Sequence, residues 1–236
     1  MNFDAIFYPK SIAVIGASSR EKTVGNDVVK NLVRQGYTGK IYPINPKIEE
    51  LYGLKVFETV EQIEDTVELL VLAIPAKFVA EEIKKASKKG AKAAIVISAG
   101  FKEAGNLDLE KELAHVCNDL NITLVGPNCL GAINAEIQMN ASFASVMPPI
   151  GDVAFMSQSG ALCTAVLDYA KDLGIGFSKF ISIGNKAALN ELDLIKYLHA
   201  DKKTKVICMY AESLDSAPEF IKVLRRLNRG KNPKPI

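Results

Sequence analysis

Short, uniformly apolar runs alternate with amphipathic segments along the first half of the chain. The runs are rich in Val, Ile and Leu, and the segments between them carry Lys and Glu at helical spacing. This pattern predicts strands at residues 11–16, 40–44, 67–75, 93–98 and 122–126. Strands that are apolar on both faces are typical of a parallel sheet covered by helices, so we predict an α/β fold.

The alternation pauses over residues 126–151, where small residues accumulate before a Pro-Pro pair, and then it resumes. The second series predicts strands at 152–157, 177–184 and 204–212 and helices at 160–173, 190–199 and 216–229. We place a domain boundary in the pause, which makes residues 1–128 and 129–236 the two predicted domains. The last residues, "NPKPI", are typical of the start of a further strand, so we expect the second domain to be truncated there.

Composition narrows the possible partners. The 236 residues are 48% hydrophobic and 24% charged, and the formal net charge of +2 is too small to predict a nucleic-acid surface. No apolar stretch approaches the roughly 18 residues of a membrane span, and the N-terminus lacks a secretory signal pattern. These features predict a cytoplasmic protein with neither a membrane nor a nucleic-acid partner.

The cysteines and histidines predict no metal site. Cys117, Cys129, Cys163 and Cys208 are widely scattered, so we interpret them as reduced and mostly buried thiols. The two histidines of the chain have no nearby Cys or carboxylate cluster at ligand spacing.

The first strand-to-helix turn, "IGASSREKTVGNDVVKNL", only partly matches a dinucleotide fingerprint. Gly16 and Gly25 are present, but the G-x-G-x-x-G pattern would also require glycine at Ser18 and Glu21. After the second strand, Lys47 of "INPK" stands where an NAD site places a carboxylate. A lysine there suits an extra ribose phosphate, as in CoA or NADP, and its alternative is a solvated loop lysine.

Other strand ends support a nucleotide site. In an open parallel sheet, ligands bind beyond the carboxyl ends of the strands, so "AIPAK" (73–77), "SAGFKE" (98–103) and "GPNCLG" (126–131) are expected to converge on residues 16–19. Each of them, taken alone, is equally well explained as an ordinary turn between a strand and a helix.

The turn "SQSG" at residues 157–160 poses a choice between a nucleophilic serine and an anion site. A nucleophile elbow needs G-x-S-x-G, but Phe155 stands two positions before Ser157, and Ser157 stands two before Ser159. Hydroxyls, an amide and a glycine at a helix start instead favour phosphate, because the first N–H groups and the helix dipole attract an anion. A plain N-cap is the alternative.

The motifs "YPKSIAVIGAS", "YPINPK", "SAGFKE", "GPNCLG" and "SQSG" occur together in one order. In this the chain resembles the CoA-binding, alpha-type part of ADP-forming (NDP-forming) acyl-CoA synthetases, and it is similar to the α subunit of succinyl-CoA synthetase. The resemblance implies a Rossmann-like CoA-binding domain followed by a flavodoxin-like domain of the succinyl-CoA synthetase type.

The resemblance also implies a reaction and its site. Acyl-CoA, phosphate and ADP would be interconverted with acid, CoA and ATP through an acyl phosphate and a phosphohistidine. ADP or ATP with Mg would bind to a partner ATP-grasp domain or β subunit, within a homo- or hetero-oligomer. By resemblance, Asn128 would lie near the thioester and Glu212 would orient the histidine. The implied CoA ligands are Gly16, Ser18, Ser19, Lys22, Lys47, Pro75, Ser98, Ala99 and Gly100, and the implied phosphate ligands are Ser157, Gln158, Ser159 and Gly160.

Neither histidine fits the phosphorylated residue of this family, which lies beyond the strand that "KPI" begins. We predict that His115 is a partly buried helix residue and that His199 is a cation complementing the dipole in a last helical turn. The chain alone is thus expected to bind ligands without turnover. Two other functions stay open: a CoA-sensing regulatory module of a protein acetyltransferase, and an NAD(P)-linked oxidoreductase.

Overall fold

The computed structural model describes residues 1–230 and 232–236. The elements of the first half of the chain are α1 (Asp4–Phe7), β1 (Ser11–Ile15), α2 (Val24–Arg34), β2 (Lys40–Ile44), β3 (Glu50–Leu51), β4 (Leu54–Lys55), β5 (Leu69–Leu72), α3 (Ala76–Ser87), β6 (Ala93–Val96), α4 (Leu107–Asp119) and β7 (Thr123–Val125). Five of the strands form a parallel sheet with the order β2-β1-β5-β6-β7. The strand order reverses between β1 and β5, and this switch point opens a crevice at their carboxyl ends.

The elements of the second half are β8 (Gly131–Asn134), β9 (Met139–Ser142), β10 (Ile150–Ser157), α5 (Gly160–Leu173), β11 (Phe177–Ser182), α6 (Glu191–Ala200), β12 (Val206–Tyr210) and α7 (Ala217–Asn228). Its strands form a mixed sheet with the order β12-β10-β11-β8-β9. Strands β10, β11 and β12 are parallel, whereas β8 and β9 are antiparallel additions beside β11.

All the strands and helices predicted by the apolar pattern are present, with shifts of one to a few residues at their ends. The pattern missed the β3–β4 hairpin and the pair β8 and β9. The segment 126–151 was interpreted as a junction, yet it supplies two strands of the second sheet. Because β7 ends at Val125 and β8 begins at Gly131, we propose that the domains are residues 1–128 and 129–236.

Helix α2 lies very close to the turn that follows β1. A Cβ on Gly25, in the first turn of α2, would overlap the carbonyl oxygen of Gly16, and Gly16 itself has a φ of +93°. Only glycine permits both the approach and the left-handed backbone. The pair therefore brings the start of α2 against the carboxyl end of β1, where the crevice opens.

The apolar core continues from one sheet to the other. One cluster of buried side chains includes Val14 and Ile95 of the first sheet together with Met156 and Ile181 of the second. A second cluster fills the other face of the first sheet, and a third lies under α5. Among the helices of the described residues, none is both long enough and apolar enough to cross a bilayer.

Candidate functional site

A cleft of about 920 Å³ lies between the two sheets. One wall consists of the turns that follow β5, β6 and β7, and the other consists of the turns that follow β10, β11 and β12. The carboxyl ends of parallel strands share one edge of a sheet, so each sheet presents its turns together. The cleft is therefore where the two rows of turns face each other.

Residues predicted from both domains line this cleft. They are Pro75, Ser98, Ala99 and Asn128 on the first wall and Gln158, Ser159, Gly160 and Glu212 on the second. The other predicted residues lie outside the lining, namely Gly16, Ser18, Ser19, Lys22, Lys47, Gly100 and Ser157. Gly16 lies directly behind Ala73 and Ile74 of the wall.

Lys47 lies in a separate groove of about 560 Å³, which Lys55, Glu49 and Glu58 also line. The Lys47 backbone N–H donates to the side chain of Asn45 at 2.8 Å, which holds the turn after β2. The Lys47 side chain is exposed, and no carboxylate among residues 1–230 and 232–236 forms a salt bridge with it. Its charge is therefore available to an anion that extends from the crevice over this turn.

Two predicted serines use their hydroxyls inside the protein. The buried Ser98 Oγ accepts from the N–H of Ile74 at 3.1 Å and donates to the carbonyl of Leu72 at 3.3 Å. The buried Ser157 Oγ donates to the carbonyl of Ser159 at 3.0 Å and accepts from its N–H. Each hydroxyl has a single proton, so these two side chains shape their turns.

The start of α5 presents hydrogen-bond donors to the cleft. Ser159 caps the helix by accepting from the N–H of Leu162 at 3.3 Å. Gly160 and Ala161 line the cleft, and no residue in the described part of the chain accepts a hydrogen bond from their N–H groups. Free N–H groups at the positive end of a helix, here one of 14 residues, attract anions.

Gln158 connects this turn to the loop that carries Glu212. The Gln158 carbonyl oxygen accepts from the N–H groups of Glu212 and Ser213, the latter at 3.0 Å. Because a backbone N–H can only donate, this contact fixes the amide orientation and turns the Gln158 Nε2 donors away from the loop. The amide thus adds donors beside the start of α5.

An ion-pair cluster holds the other side of the same loop, with the side chains of Lys186 and Glu191 buried and that of Asp215 exposed. Lys186 Nζ lies 2.8 Å from Glu191 Oε2, 3.0 Å from Asp215 Oδ1 and 3.0 Å from the carbonyl of Ser213. Burial lowers the pKa of Lys186, but the hydrogen bonds to Glu191 and Asp215 outweigh it and raise the pKa overall. Lys186 therefore remains charged and anchors the loop that positions Glu212.

Asn128 lies in the first wall, in a left-handed conformation with a φ of +56°. Its N–H donates to the carbonyl of Ser98 at 3.0 Å, and its side-chain Nδ2 lies 3.3 Å from Asn185 Oδ1 on the opposite wall. Asn128 is consequently a residue of the first wall whose side chain contacts the second wall.

The predicted exposure of His115 and the predicted charge of His199 are both wrong. The His115 side chain is 75% exposed, rather than partly buried, with Nε2 3.3 Å from Asp119 Oδ2. Burial, together with the charge of Lys234, lowers the pKa of His199, so this residue is not the predicted cation. Neither histidine lines the cleft.

The thiols and the acidic groups offer little further chemistry. Burial raises the pKa of Cys129 to about 12 and that of Cys163 to about 11, so neither thiol is reactive at neutral pH. Cys208 is exposed, whereas Cys117 is buried. Across the described residues, no group of three or more His, Cys, Asp or Glu side chains could hold a metal ion.

Two segments of the chain, which together contain both walls of the cleft, match known domain families. Residues 10–135 match the CoA binding domain, and residues 150–236 match the succinyl-CoA ligase like flavodoxin domain. The chain belongs to the CoA-binding domain family. This confirms the family resemblance and the two-part α/β fold predicted from the motifs.

Relatives of this CoA-binding domain protein are longer. It is 46% identical over 226 residues to the ADP-forming acetate-CoA ligase of Methanocaldococcus jannaschii, covering 96% of this chain and 32% of the relative. It is 39% identical over 230 residues to the alpha subunit of ADP-forming acetate-CoA ligase II of Pyrococcus furiosus. That match covers 97% of this chain and 50% of the relative.

One solved structure matches almost the whole CoA-binding domain protein. It is the dinucleotide-forming acetyl-coenzyme A synthetase 1 of Ca. Korarchaeum cryptofilum in complex with phosphate and ADP. The TM-score is 0.92 at 39% identity, with 97% of this chain and 50% of that chain covered. The chain thus spans about a third to a half of the length of the relatives it matches.

Several residues of the cleft were not named among the predicted site residues, namely Lys102, Glu103, Cys129, Leu130, Phe143, Thr164 and Asn185. The first four lie inside the "SAGFKE" and "GPNCLG" motifs, which were expected at the site as strand ends, and the same rule could have found Asn185, which follows β11. Phe143 had no such signal, since it follows β9, a strand that the apolar pattern did not predict.

Proposed function

We propose that this chain is the CoA- and phosphate-binding part of an ADP-forming acyl-CoA synthetase, an acid-thiol ligase. The whole enzyme would interconvert acyl-CoA, phosphate and ADP with acid, CoA and ATP. The observation that supports this most directly is that Asn128 and the start of α5, with its free N–H groups, line the same cleft. A thioester held at Asn128 and a phosphate held at α5 would meet there.

The first chemical step follows from this arrangement. A phosphate oxygen attacks the thioester carbonyl carbon, the C–S bond breaks, and CoA leaves as the thiolate with the acyl phosphate as the other product. Gln158, Ser159 and Gly160 are proposed to hold the phosphate, and Ser157 to hold their turn. Charge develops on the former carbonyl oxygen, and the Asn128 side-chain amide is a suitable donor to it.

The later steps need groups outside this cleft. We propose that a histidine outside residues 1–236 takes the phosphoryl group and passes it to ADP, with Mg, on a partner ATP-grasp domain or β subunit. Neither His115 nor His199 lines the cleft, which supports this division. Glu212 is proposed to orient that histidine, because its loop is held by Gln158 and Lys186. A cytoplasmic location is likewise a proposal.

CoA is proposed to lie along the carboxyl edge of the first sheet. Pro75, Ser98, Ala99 and Gly100 would contact it through backbone groups in and beside the cleft. Its nucleotide end would extend past Gly16, Ser18, Ser19 and Lys22 to Lys47, whose ammonium would pair with the 3′-phosphate. This assignment also separates CoA from NADP, whose nicotinamide would need a hydride-transfer site.

Calorimetric titration with CoA, dephospho-CoA and NADP⁺ tests the proposal. The chain should bind CoA, bind dephospho-CoA more weakly and not bind NADP⁺. Lys47→Ala should cost about 1–3 kcal/mol of CoA binding and leave dephospho-CoA unchanged, because one charged hydrogen bond is lost. The control is Lys171→Ala, which removes an exposed charge in the last turn of α5 and should change neither affinity.

The opposite results have distinct meanings. Equal losses for CoA and dephospho-CoA in Lys47→Ala would reject the assignment of Lys47 to the 3′-phosphate. Binding of NADP⁺ alone would favour the oxidoreductase alternative. CoA binding by the chain, without acyl-CoA synthesis by any longer form of the protein, would favour a CoA-sensing regulatory module.

A further inference from the structure

The loop after β11 presses against the turn after β7. The N–H groups of Asn185 and Ala187 donate to the carbonyls of Pro127 and Gly126, at 2.9 Å and 3.1 Å. A Cβ on Gly184 would overlap the Pro127 carbonyl oxygen, and its φ is +53°. Backbone contact this close fixes the position of Asn185 relative to the first domain.

The Asn185 side chain uses all of its polar atoms at this contact. Its Nδ2 donates to Glu103 Oε2 at 2.6 Å and to Glu110 Oε2 at 2.7 Å, and its Oδ1 accepts from Asn128 Nδ2 at 3.3 Å. Ionised carboxylates only accept, so Nδ2 must face them and Oδ1 must face Asn128. The two glutamates thereby determine which way the amide of Asn128 points.

Both glutamates are held firmly. Burial raises the pKa of Glu103, but the hydrogen bonds from Asn185 and from the Gly100 and Phe101 N–H groups lower it overall, which keeps the carboxylate ionised. Glu110 is buried and lies 3.4 Å from Lys102 Nζ, and that ammonium also donates to the Asn185 carbonyl at 2.5 Å. The orienting groups are therefore fixed before any ligand binds.

We propose that Asn185 is a positioning residue: it fixes the side-chain orientation of Asn128, so that CoA affinity on the first domain depends on a residue of the second. The Asn128 Nδ2 carries two protons and donates one of them to Asn185. Asn128 can therefore offer its other N–H and its Oδ1 to the cleft. The consequence for CoA rests on the function proposed above, whereas the effect on Asn128 does not.

A double-mutant cycle in CoA affinity tests the coupling. Asn185→Ala and Asn128→Ala should each weaken CoA binding by roughly five- to tenfold, as expected for one neutral hydrogen bond, and the double variant should be no weaker than the worse single variant. Losses that multiply in the double variant would overturn the proposal, because Asn185 would then act independently of Asn128.

A second readout does not require CoA. The ¹H–¹⁵N heteronuclear NOE of the Asn128 side-chain amide should fall in Asn185→Ala to the value of an exposed asparagine, and an unchanged value would overturn the proposal. If the parent chain binds no CoA, the proposed function fails, and this NOE alone decides the role of Asn185.

Two further variants separate positioning from general damage. Asn190→Ala removes the cap of α6, whose side chain accepts from the Asp193 N–H, and should lower the melting temperature without altering the Asn128 NOE or CoA affinity. Asn185→Ser keeps a donor for the glutamates but is too short to reach Asn128, so it should show the same NOE loss. It replaces Asn185→Ala in this measurement if that variant does not fold.

Discussion

Buried asparagines carry much of the polar contact between the two halves of this protein. Asn31 of α2 donates from Nδ2 to the carbonyls of Ser142 and Ala144, both at 2.8 Å, and Asn134 donates to the carbonyl of Phe7 at 2.7 Å. An amide can donate twice and accept at once, so a single side chain satisfies several backbone groups that the interface removes from water.

His199 shows how tertiary surroundings reverse an expectation at the scale of one residue. Its position in the last turn of α6 predicts a stabilised cation. Its Nε2 is buried with no hydrogen-bond partner in the described part of the chain, and Lys234 lies nearby. Desolvation disfavours the charged imidazole more than the helix end favours it.

The buried environment of His199 predicts that the folded chain loses stability on mild acidification. The pKa of His199 in the folded chain is below the ordinary 6.5, so the unfolded chain takes up a proton first as the pH falls. The free energy of unfolding should therefore decrease below about pH 6.5, and His199→Gln should reduce that decrease. Urea titrations between about pH 7.5 and pH 5 measure it, with His115→Gln as the exposed control; an equal effect of both substitutions would contradict the prediction.

At the scale of elements, the start of α5 has a structural role and, by our proposal, a role in binding phosphate. Ser159 caps α5, just as Ser216 caps α7 by accepting from the Glu219 N–H at 3.4 Å. Of these two helices, α5 begins in the lining of the cleft, and there the N–H groups of Gly160 and Ala161 have no acceptor among the described residues. The same capping chemistry therefore has different consequences in the two helices.

Comparing the two caps separates stability from phosphate binding. Ser159→Ala and Ser216→Ala should each destabilise the chain by ~1 kcal/mol, the usual cost of a lost N-cap. Phosphate raises the melting temperature of a protein that binds it, and Ser159→Ala should diminish this rise whereas Ser216→Ala should preserve it. Melting curves in phosphate and in chloride at equal ionic strength provide the measurement. A full rise in Ser159→Ala would place the phosphate elsewhere.

At the scale of the whole molecule, the two sheets share one apolar core and are joined on two sides. Asn31 connects α2 to the segment after β9, and Tyr197 of α6 stacks on Phe3 and Phe7 with ring centroids 4.8 Å and 5.6 Å apart. A shared core and these contacts should make the two halves unfold together.

We therefore expect a single unfolding transition in urea, coincident by far-UV circular dichroism and tyrosine fluorescence. Asn31→Ala should move the midpoint of both signals downward, because the Ser142 and Ala144 carbonyls lose their partner at a cost of about 1–3 kcal/mol. Asn118→Ala, an exposed asparagine in α4, has the same change in helix propensity and should not destabilise the chain. Two separate transitions in the parent chain would refute the expectation.

Strands β8 and β9 show why the apolar pattern failed to predict some elements of the fold. Strands β8 and β9 contain Asn134, Asn140 and Ser142, polar residues that are fully buried. They are satisfied by groups such as the Phe7 carbonyl, distant in sequence, or by the turn after β9. A local pattern counts such residues as solvent-facing, so it predicts a loop where the tertiary structure supports strands.

The sequence by itself determined the elements whose signals are local, such as β2 at 40–44 and α5 at 160–173, and the ordered motifs that identify the family. Only the tertiary structure decided that Asn185 reaches Glu103, Glu110 and Asn128. It also decided that the Ser98 and Ser157 hydroxyls donate to backbone carbonyls and that His199 is not a cation. Periodicity and capping depend on neighbours a few positions apart, whereas hydrogen-bond partners and desolvation depend on residues that the fold brings together from distant positions.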